Sequence, residues 1–584
     1  MSDENEEDAK LPRGFFSNLW KSFKLQKIRL LGVWLFITLC IIGIYAPIFA
    51  SSQPLVIKWQ GKFFFPWFRY LFYTGFYTKP VDLFFNLFMF VLLIGIVSSF
   101  LINRKMWKWL IIASVVVQFL GFSIISKGII KDPARSNPHL RFAKAEYDHK
   151  EFTDFQMTQE ALFPRKGLWD FELKHMTQYE KLQILVRRQN KLLQHQKIQK
   201  YVAVRPDLDI DLMPTLWNTE KRNEADRLQR LQEEKQQLES SYQHVSKIWG
   251  ELLINYLPVA QKLKSLDEQL SIITNSIEYK KIQLSIEEYK KTNKAVIDAF
   301  QEAQKIKENY QKISDSFTMI KDRNAWIDQE LRQVSFTLRP LLSNFHWEED
   351  AGGSQSFNKV VPWWNLTRIN RKSLLPGLIF GVRVALIVGV STICIALMIG
   401  VPLGLISGYF SGRTDLIIFR FIEIWDTMPV FFMLLMLIAF CQNKSLFISI
   451  MVIGVFGWTG IARFIRAEAL KQRMWPYVLA SRSLGYSNFR IMISQVLPNA
   501  MIPTIAMLPF MIMTKIGTEN TLSFLGLGEE RSSSWGVLMH EAISVFPGES
   551  YLLWPPSIVL TIFLACIALI GDGLQEAYDP KSKN

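Results

Sequence analysis

Few residues of this chain stand where side-chain chemistry would need them. The seven histidines (His139, His149, His175, His195, His244, His346 and His540) are scattered, and none falls inside an apolar run. No metal site is expected from such spacing. There is no G-x-x-x-x-G-K-S/T loop to cradle a nucleotide phosphate, and no G-x-S-x-G, H-E-x-x-H or C-x-x-C. The sequence therefore offers no catalytic residue and no bound cofactor, and it reads as a non-enzyme. Acidic residues beside apolar runs deserve more weight, because a charge at a bilayer centre costs about 2.5–3.5 kcal/mol. Glu423 and Asp426 enter one such run next to Arg420; either they line a pathway or, the favoured reading, they sit near the cytoplasmic interface and pair with Arg420. Asp572 and Glu576 close another run and read as interfacial.

The informative loop is 465–499. A hydrophobic stretch with the small residues Ala480 and Ser481 meets a sharp turn at Gly485, then an amphipathic stretch, then Leu497-Pro498. The spacing predicts two short helices at an angle, with Gly485 making the turn. Small residues there permit close approach of a partner.

The elements that must hold this bracket are membrane spans. The chain has 584 residues, a net charge of +15, 49% hydrophobic residues and only four cysteines. That excludes a small domain, a mostly disordered chain and a disulfide scaffold. A span needs about 20 apolar residues to cross about 30 Å of hydrocarbon. About eight segments qualify: Leu30–Ala50, Leu83–Ile102, Trp109–Ile125, Leu378–Ile406, Ile417–Phe440, Leu446–Ile461, Met501–Ile516 and Leu552–Leu574. The first is too long for a cleaved signal peptide and follows a long, initially acidic tail. In that tail Phe15, Phe16, Leu19, Trp20 and Phe23 recur beside Lys21, Lys24 and Lys27, a pattern that suits a helix on an anionic membrane surface or an ordinary juxtamembrane tail. Membrane lipid is thus an expected partner, and nucleic acid is not.

Short loops rich in Lys and Arg mark the cytoplasmic side. Those loops carry Lys21, Lys24, Lys27 and Arg29; Arg104, Lys105 and Lys108; Arg413 and Arg420; and Arg463, Arg466, Lys471, Arg473, Arg482 and Arg490. The alternate loops hold little beyond Lys444 and Arg531. Both termini and the 465–499 bracket are therefore expected in the cytoplasm, with segment 131–370 outside.

Segment 131–370 contains no cysteine and must hold itself together by packing. Leu228, Leu231, Leu238, Tyr242, Val245, Trp249, Leu252 and Tyr256 form a heptad seam, with Lys235 in one slot. Pro258 interrupts it. A second seam runs Leu263, Leu266, Leu270, Ile273, Ile277 and on to Leu284. A third runs from Ala299 through Ala303, Ile306, Tyr310, Ile313, Phe317, Ile320, Ile327, Leu331 and Val334 to Leu338. Thr292-Asn293 is the expected bend. The spacing predicts two or three long helices packed as a coiled coil over about 220–340. The arm would either pack on itself alone, with no partner, or act as a docking arm for an unknown envelope partner or as a peptidoglycan spacer. The stretch 135–215 has no clear period.

Ala480-Ser481-Arg482-Ser483-Leu484-Gly485, followed by Val496-Leu497-Pro498-Asn499, resembles the coupling loop of bacterial ABC importer permeases. Thr521-Leu522-Ser523-Phe524-Leu525-Gly526-Leu527-Gly528, Ser534-Trp535-Gly536 and Gly571-Asp572-Gly573-Leu574-Gln575-Glu576-Ala577-Tyr578-Asp579-Pro580 resemble its peptide/nickel subfamily. So does Gly381-Val382-Arg383-Val384-Ala385-Leu386. Arg420-Phe421-Ile422-Glu423-Ile424-Trp425, Phe456-Gly457-Trp458, Arg466-Ala467-Glu468 and the stretch Gln53–Pro66 are particularly similar to permeases of microcin C/oligopeptide importers. The resemblance covers roughly 30–66 and 377–580. The family's acidic residue at the start of the coupling motif is Leu479 here, and its second alanine is Ser481. The polar segment before the family's core reads Asn365–Lys372, without the usual Gly-Thr-Asp and Gly-Arg-Asp.

The resemblance implies an all-α polytopic membrane protein with a type I ABC importer permease core and a large extracytoplasmic coiled-coil insert. Its divisions would be 1–66 (tail, first span and start of an outer loop), 67–130 (an extra transmembrane pair), 131–370 (the insert) and 371–584 (the core). It implies a subunit of an ATP-driven bacterial inner-membrane importer of oligopeptides or peptide-like compounds working by alternating access. Implied partners are a second permease, two ATPase subunits and a periplasmic peptide-binding protein. Ala480, Ser481, Arg482, Gly485, Tyr486, Arg490, Leu497 and Pro498 would contact the ATPase. Glu519, Ser523, Phe524, Leu525 and Gly526 would form an outer gate loop. The alternative is a membrane-anchored envelope scaffold acting through its coiled coil.

Overall fold

A computed structural model describes residues 27–72, 79–101, 106–127, 168–202, 216–272, 276–347, 358, 361–368, 372–441, 444–530 and 532–578. The amphipathic pattern at 15–24 and the start of the 131–370 segment lie outside the described residues. The chain enters through α1 (Lys27–Ile44), makes a hairpin of β1 (Val56–Trp59) and β2 (Lys62–Phe64), and crosses back and forth in α2 (Pro80–Leu101) and α3 (Trp107–Ser126). There follow α4 (Gln178–Val202), α5 (Leu216–Ile272), α6 (Ser276–Thr292), α7 (Lys294–Arg332) and β3 (Val334–Leu338). The rest is α8 (Leu374–Phe410), α9 (Gly412–Asp426), α10 (Val430–Cys441), α11 (Leu446–Phe456), α12 (Thr459–Gln472), α13 (Pro476–Ser483), α14 (Leu497–Leu522), α15 (Trp535–Ile543) and α16 (Trp554–Tyr578).

The chain is an all-α polytopic membrane protein, with one small sheet at the foot of the arm. Among the described residues, seven helical segments are long and apolar enough to cross a membrane, where the sequence suggested about eight. The difference is the segment 417–440. It is split into α9 and α10 at Thr427-Met428-Pro429, because proline cannot donate into the ladder of the preceding turn. Each piece is too short to span alone.

Strand β1 pairs antiparallel with both β2 and β3, so the stretch just after the first span lies beside the end of the arm. The strand faces bury Ile57, Trp59 and Phe64 against Leu182, Leu185 and Val186 of α4 and Ile327 of α7. The Trp59 indole donates to Glu330 at 2.9 Å. Val334 and Leu338, counted above as the end of a helical seam, are strand residues, since α7 stops at Arg332.

In the arm, α5 and α7 pack antiparallel, with Tyr256 stacked on Phe300 at 3.9 Å and Tyr242 on Tyr310 at 4.0 Å. These pairs are centred ahead of Thr292-Asn293, near the start of α6, so the helix pair does not reverse at Thr292-Asn293. At Asn293 the helix is merely interrupted, and its side chain bonds back to the Tyr289 carbonyl. Pro258 does not break α5 either, because Val259 and Tyr256 beside it are held by the seam. The out-of-place Lys235 lays its ammonium 5.9 Å from both the Tyr310 and Phe317 rings. Lys307 is buried 4.0 Å over the Trp249 ring, and burial pushes its ammonium down to about 8. Ile277 and Leu284 of the second seam are left exposed.

In the membrane part, α8 is the central post. Gly400, Gly404 and Gly408 line its contact with α12. A Cβ at Gly400 would stand 2.7 Å from the Trp458 carbonyl oxygen, and one at Gly408 2.6 Å from that of Arg466. Four-residue glycine spacing lets two membrane helices touch backbone to backbone. Around this post, Leu378, Val382 and Ala385 join Trp535, Phe563 and Ile567 with Phe36 of α1. The fully buried Arg383 donates to the carbonyls of Gly43 (2.8 Å) and Ile44 (2.7 Å) and to Asn86 Oδ1 (2.8 Å). Asp82 lies 3.8 Å from it and 3.0 Å from His346 Nε2. We expect Arg383→Met to cost about 3 kcal/mol, the scale for breaking a buried ion pair. The measurement is the melting temperature of the detergent-solubilised protein, with Arg383→Lys recovering only part because it cannot reach both carbonyls.

Candidate functional site, a helical bracket between two spans

The bracket starts where α12 ends. Trp475 is extended, and Pro476 sits in the first turn of α13, where its missing N–H is not needed. Eight residues later the helix closes in a Schellman motif. The Tyr486 N–H donates to the Ser481 carbonyl (3.2 Å) and the Gly485 N–H to that of Arg482 (3.1 Å). Gly485 has φ +78°, a region where other residues are strained. Ser487 then caps the short helix Asn488–Ile491, accepting from the Arg490 N–H at 3.4 Å. That helix runs on through Leu497 and Pro498 into α14. The two-helix angle read from the sequence is therefore present, and the glycine makes it.

Three polar contacts fasten the bracket to the spans. Gln495 donates to the Ser481 hydroxyl (2.6 Å), Asn499 to the Tyr477 hydroxyl (2.9 Å) and the Tyr409 hydroxyl to Asn488 (2.9 Å). Burial raises the Tyr477 phenol above its ordinary value, against the hydrogen bond from Asn499 that lowers it. Val478, Ile491, Met492 and Val496 close the apolar side together with Tyr409 and Ile465. Ser481 is thus buried and faces inward, donating to the Tyr477 carbonyl at 2.9 Å. It positions the bracket rather than presenting itself to a partner. Ala480, Arg482, Gly485, Tyr486, Arg490 and Pro498 are exposed, and Leu497 is half-buried.

The outer face of the bracket is more apolar than the sequence reading anticipated. Met474, Leu479, Leu484 (74% exposed), Phe489 (71% exposed) and Ile493 all stand in the open. Arg482 lies over the Tyr409 ring at 5.5 Å and Arg490 over the Tyr486 ring at 4.7 Å, so cations border this surface. Exposed apolar side chains rimmed by charge mark an interaction surface. Nearby, Asp415 is bridged to Arg466 (2.7 Å) and takes a bond from Ser407, while Asp426 pairs with Arg463 and Glu423 with Arg420 (2.6 Å). Asp426 thus finds a different partner from the one expected, because α12 passes beside the end of α9.

At the far end of α14 the residues 519–526 gather against α15. Glu519 is buried and accepts from the Ser523 hydroxyl (2.6 Å) and the Ser534 hydroxyl (2.9 Å). Asn520 accepts from the Gly536 N–H at 2.8 Å. Gly526 has φ +86°, and His540 Nδ1 donates to the Phe524 carbonyl at 2.8 Å. Glu519, Ser523, Phe524 and Gly526 therefore knit the turn together, and Leu525 alone of the five is exposed. Sequence reasoning missed Asn520 and His540 as their partners. Glu519 itself came from the family resemblance; its place on a long apolar helix was the sequence signal that would have marked it independently.

Residues 400–584 match the family described as binding-protein-dependent transport system inner membrane component. The chain is similar to the peptidoglycan transport system permease protein of Agrobacterium fabrum, 34% identical over 37% of this chain and 57% of that one. It is similar to the oligopeptide transport system permease protein of Haemophilus influenzae, 32% identical over 43% of this chain and 81% of the relative. A dipeptide transport system permease protein of Bacillus subtilis is 35% identical over 35% of this chain and 63% of its own length. The match thus spans under two thirds of the first and third of these relatives, and less than half of this chain.

The Schellman bonds make a testable unit. Gly485→Ala meets open space with its Cβ but is strained by φ, at about 1 kcal/mol. Hydrogen exchange at the Tyr486 amide should speed up about fivefold in Gly485→Ala and stay near wild type in Gly485→Asn, which tolerates this backbone region.

Proposed function

The chain belongs to the family of binding-protein-dependent transport system inner membrane components, and we propose that it is one permease subunit of an ATP-driven importer for oligopeptides or peptide-like compounds. A second permease completes the pathway, two ATPase subunits dock on the cytoplasmic side, and a periplasmic protein delivers the peptide. ATP hydrolysis is the work of the partner subunits. The names of the relatives, which are oligopeptide, dipeptide and peptidoglycan permeases, support the substrate class. None of them supports the envelope-scaffold alternative.

The observation that carries the reading is the bracket. Its apolar, Arg-rimmed outer face lies between two membrane segments, and its inner face is bonded to both of them. Pushing the outer face moves Asn488 and Gln495, and through them Tyr409 on α8 and Ser481 on α13. A force applied from the cytoplasm is thereby passed into the spans by contact alone, and the two orientations of the pathway are populated in turn. Leu479, Leu484, Tyr486 and Phe489, flanked by Ala480, Arg482, Gly485, Arg490 and Pro498, form the ATPase-facing surface. Residues 519–526 close the outward end. Both termini lie in the cytoplasm, and 131–370 is a periplasmic insert placed before the 371–584 core, with 67–130 as an added pair of spans.

The test is co-purification from detergent with the two ATPase subunits expressed alongside. Gly485→Asp and Leu484→Asp each place a carboxylate on the exposed face without touching the buried side. Both should remain inserted and lose the ATPases by about tenfold or more in yield. Retention of the ATPases at the wild-type level by both variants would remove the bracket from the coupling surface.

A further inference from the structure

The cations of the membrane part mostly meet a carboxylate. Arg29 pairs with Glu576, Arg383 with Asp82, Arg463 with Asp426 and Arg466 with Asp415. Lys515, inside the long apolar helix α14, does not. Among the described residues no carboxylate lies within ion-pair distance of it. Its Nζ donates only weakly, over 3.4 Å, to the Gly457 carbonyl at the break between α11 and α12. Glu519, one turn further along α14, is already engaged by two serine hydroxyls.

The surroundings of Lys515 are glycine and hydroxyl surface beside open space. Lys515 is about 27 Å along α14 from Leu497 at 1.5 Å per residue, and so lies one turn inside the 519–526 end. Gly457 leaves room for the ammonium, and a Cβ there would collide with it. Gly460 and Gly517 border open space. On the same helix Thr514, Thr518 and Thr521 form a stripe of hydroxyls, each bonded back to its own helix and so tolerable in an apolar setting. A lone ammonium at this depth is costly against hydrocarbon, and ionisable residues inside spans face water-filled cavities or partners.

We propose that Lys515 is a binding residue for the carboxylate of a peptide in transit, holding its C-terminus just inside the outer end of the pathway. The inference rests on the importer reading. A free peptide carries one terminal carboxylate whatever its side chains, so a single cation over glycine and hydroxyl surface recognises the class without selecting sequence. The weak bond to the Gly457 carbonyl keeps the ammonium placed when no peptide is present and is easily exchanged for a carboxylate.

The experiment is uptake into proteoliposomes of the complete transporter, with binding protein, second permease and ATPases. Two labelled peptides of one sequence are compared, one with a free C-terminal carboxylate and one amidated. Comparing variant with wild type for each peptide cancels any preference of the binding protein. Lys515→Gln should lower uptake of the acid about tenfold, the scale of one partly desolvated charge pair, and that of the amide less than twofold. Lys515→Arg should restore the acid. If acid and amide fall together, Lys515 is a structural cation, serving the second permease or the helix break, and the proposal fails. It also fails if neither falls. If the wild type takes up neither peptide although the ATPases are bound and active, the importer reading is at fault and the inference falls with it.

Discussion

The membrane half of this protein depends on one buried charge. Arg383 lies on α8 with no exposure, and a guanidinium there must find all its partners inside the protein. It finds them on three other elements: the carbonyls at the end of α1, Asn86 and Asp82 on α2, and, through Asp82, His346 beyond the arm. Each of these elements is far from α8 in sequence. The polar requirement of a single side chain therefore fixes the first span, the added pair and the return from the arm against the central post. Apolar contacts alone would leave these helices free to slide, since lipid is as apolar as they are.

A second constraint continues the post toward the bracket. The α8 glycines bring α12 into backbone contact, so the two helices move as one piece. At their lower end Tyr409 bonds Asn488, and Asp415 ties Arg466 to Ser407. The bracket is consequently bonded into the helices it joins, and its inward residues make those bonds. Ser481 illustrates the point, with a small side chain used for a bond to Gln495 and no surface of its own.

The arm shows where periodicity is informative and where it stops. Heptad spacing correctly placed Tyr242, Val245, Trp249 and Tyr256 on the packed face of α5. It gave the reversal point wrongly, because polar Thr292-Asn293 looks like a bend while the real one depends on which seam residues meet across the pair. It also read Pro258 as an end, although proline costs a helix about 3 kcal/mol and packing against α7 can offset that. Val334 and Leu338 fit a helical period but pair with β1, a partner about 280 residues earlier in the chain.

The sequence by itself determined the things that local chemistry decides. Apolar length set the spans, Gly485 with its neighbours set the turn of the bracket, and the aromatic and leucine seams set the long helices. Each depends on residues within a few turns of one another. Only the tertiary structure decided which charges meet. Arg383 with Asp82, Asp426 with Arg463 and Glu519 with Ser534 are pairs whose members lie far apart in the chain, or on elements whose approach no local pattern encodes. It alone decided that Ser481 turns inward and that Lys515 meets no carboxylate among the described residues. Burial and ion pairing are properties of neighbours in space, and a chain folded through several spans chooses those neighbours by packing, after its local pattern has been spent.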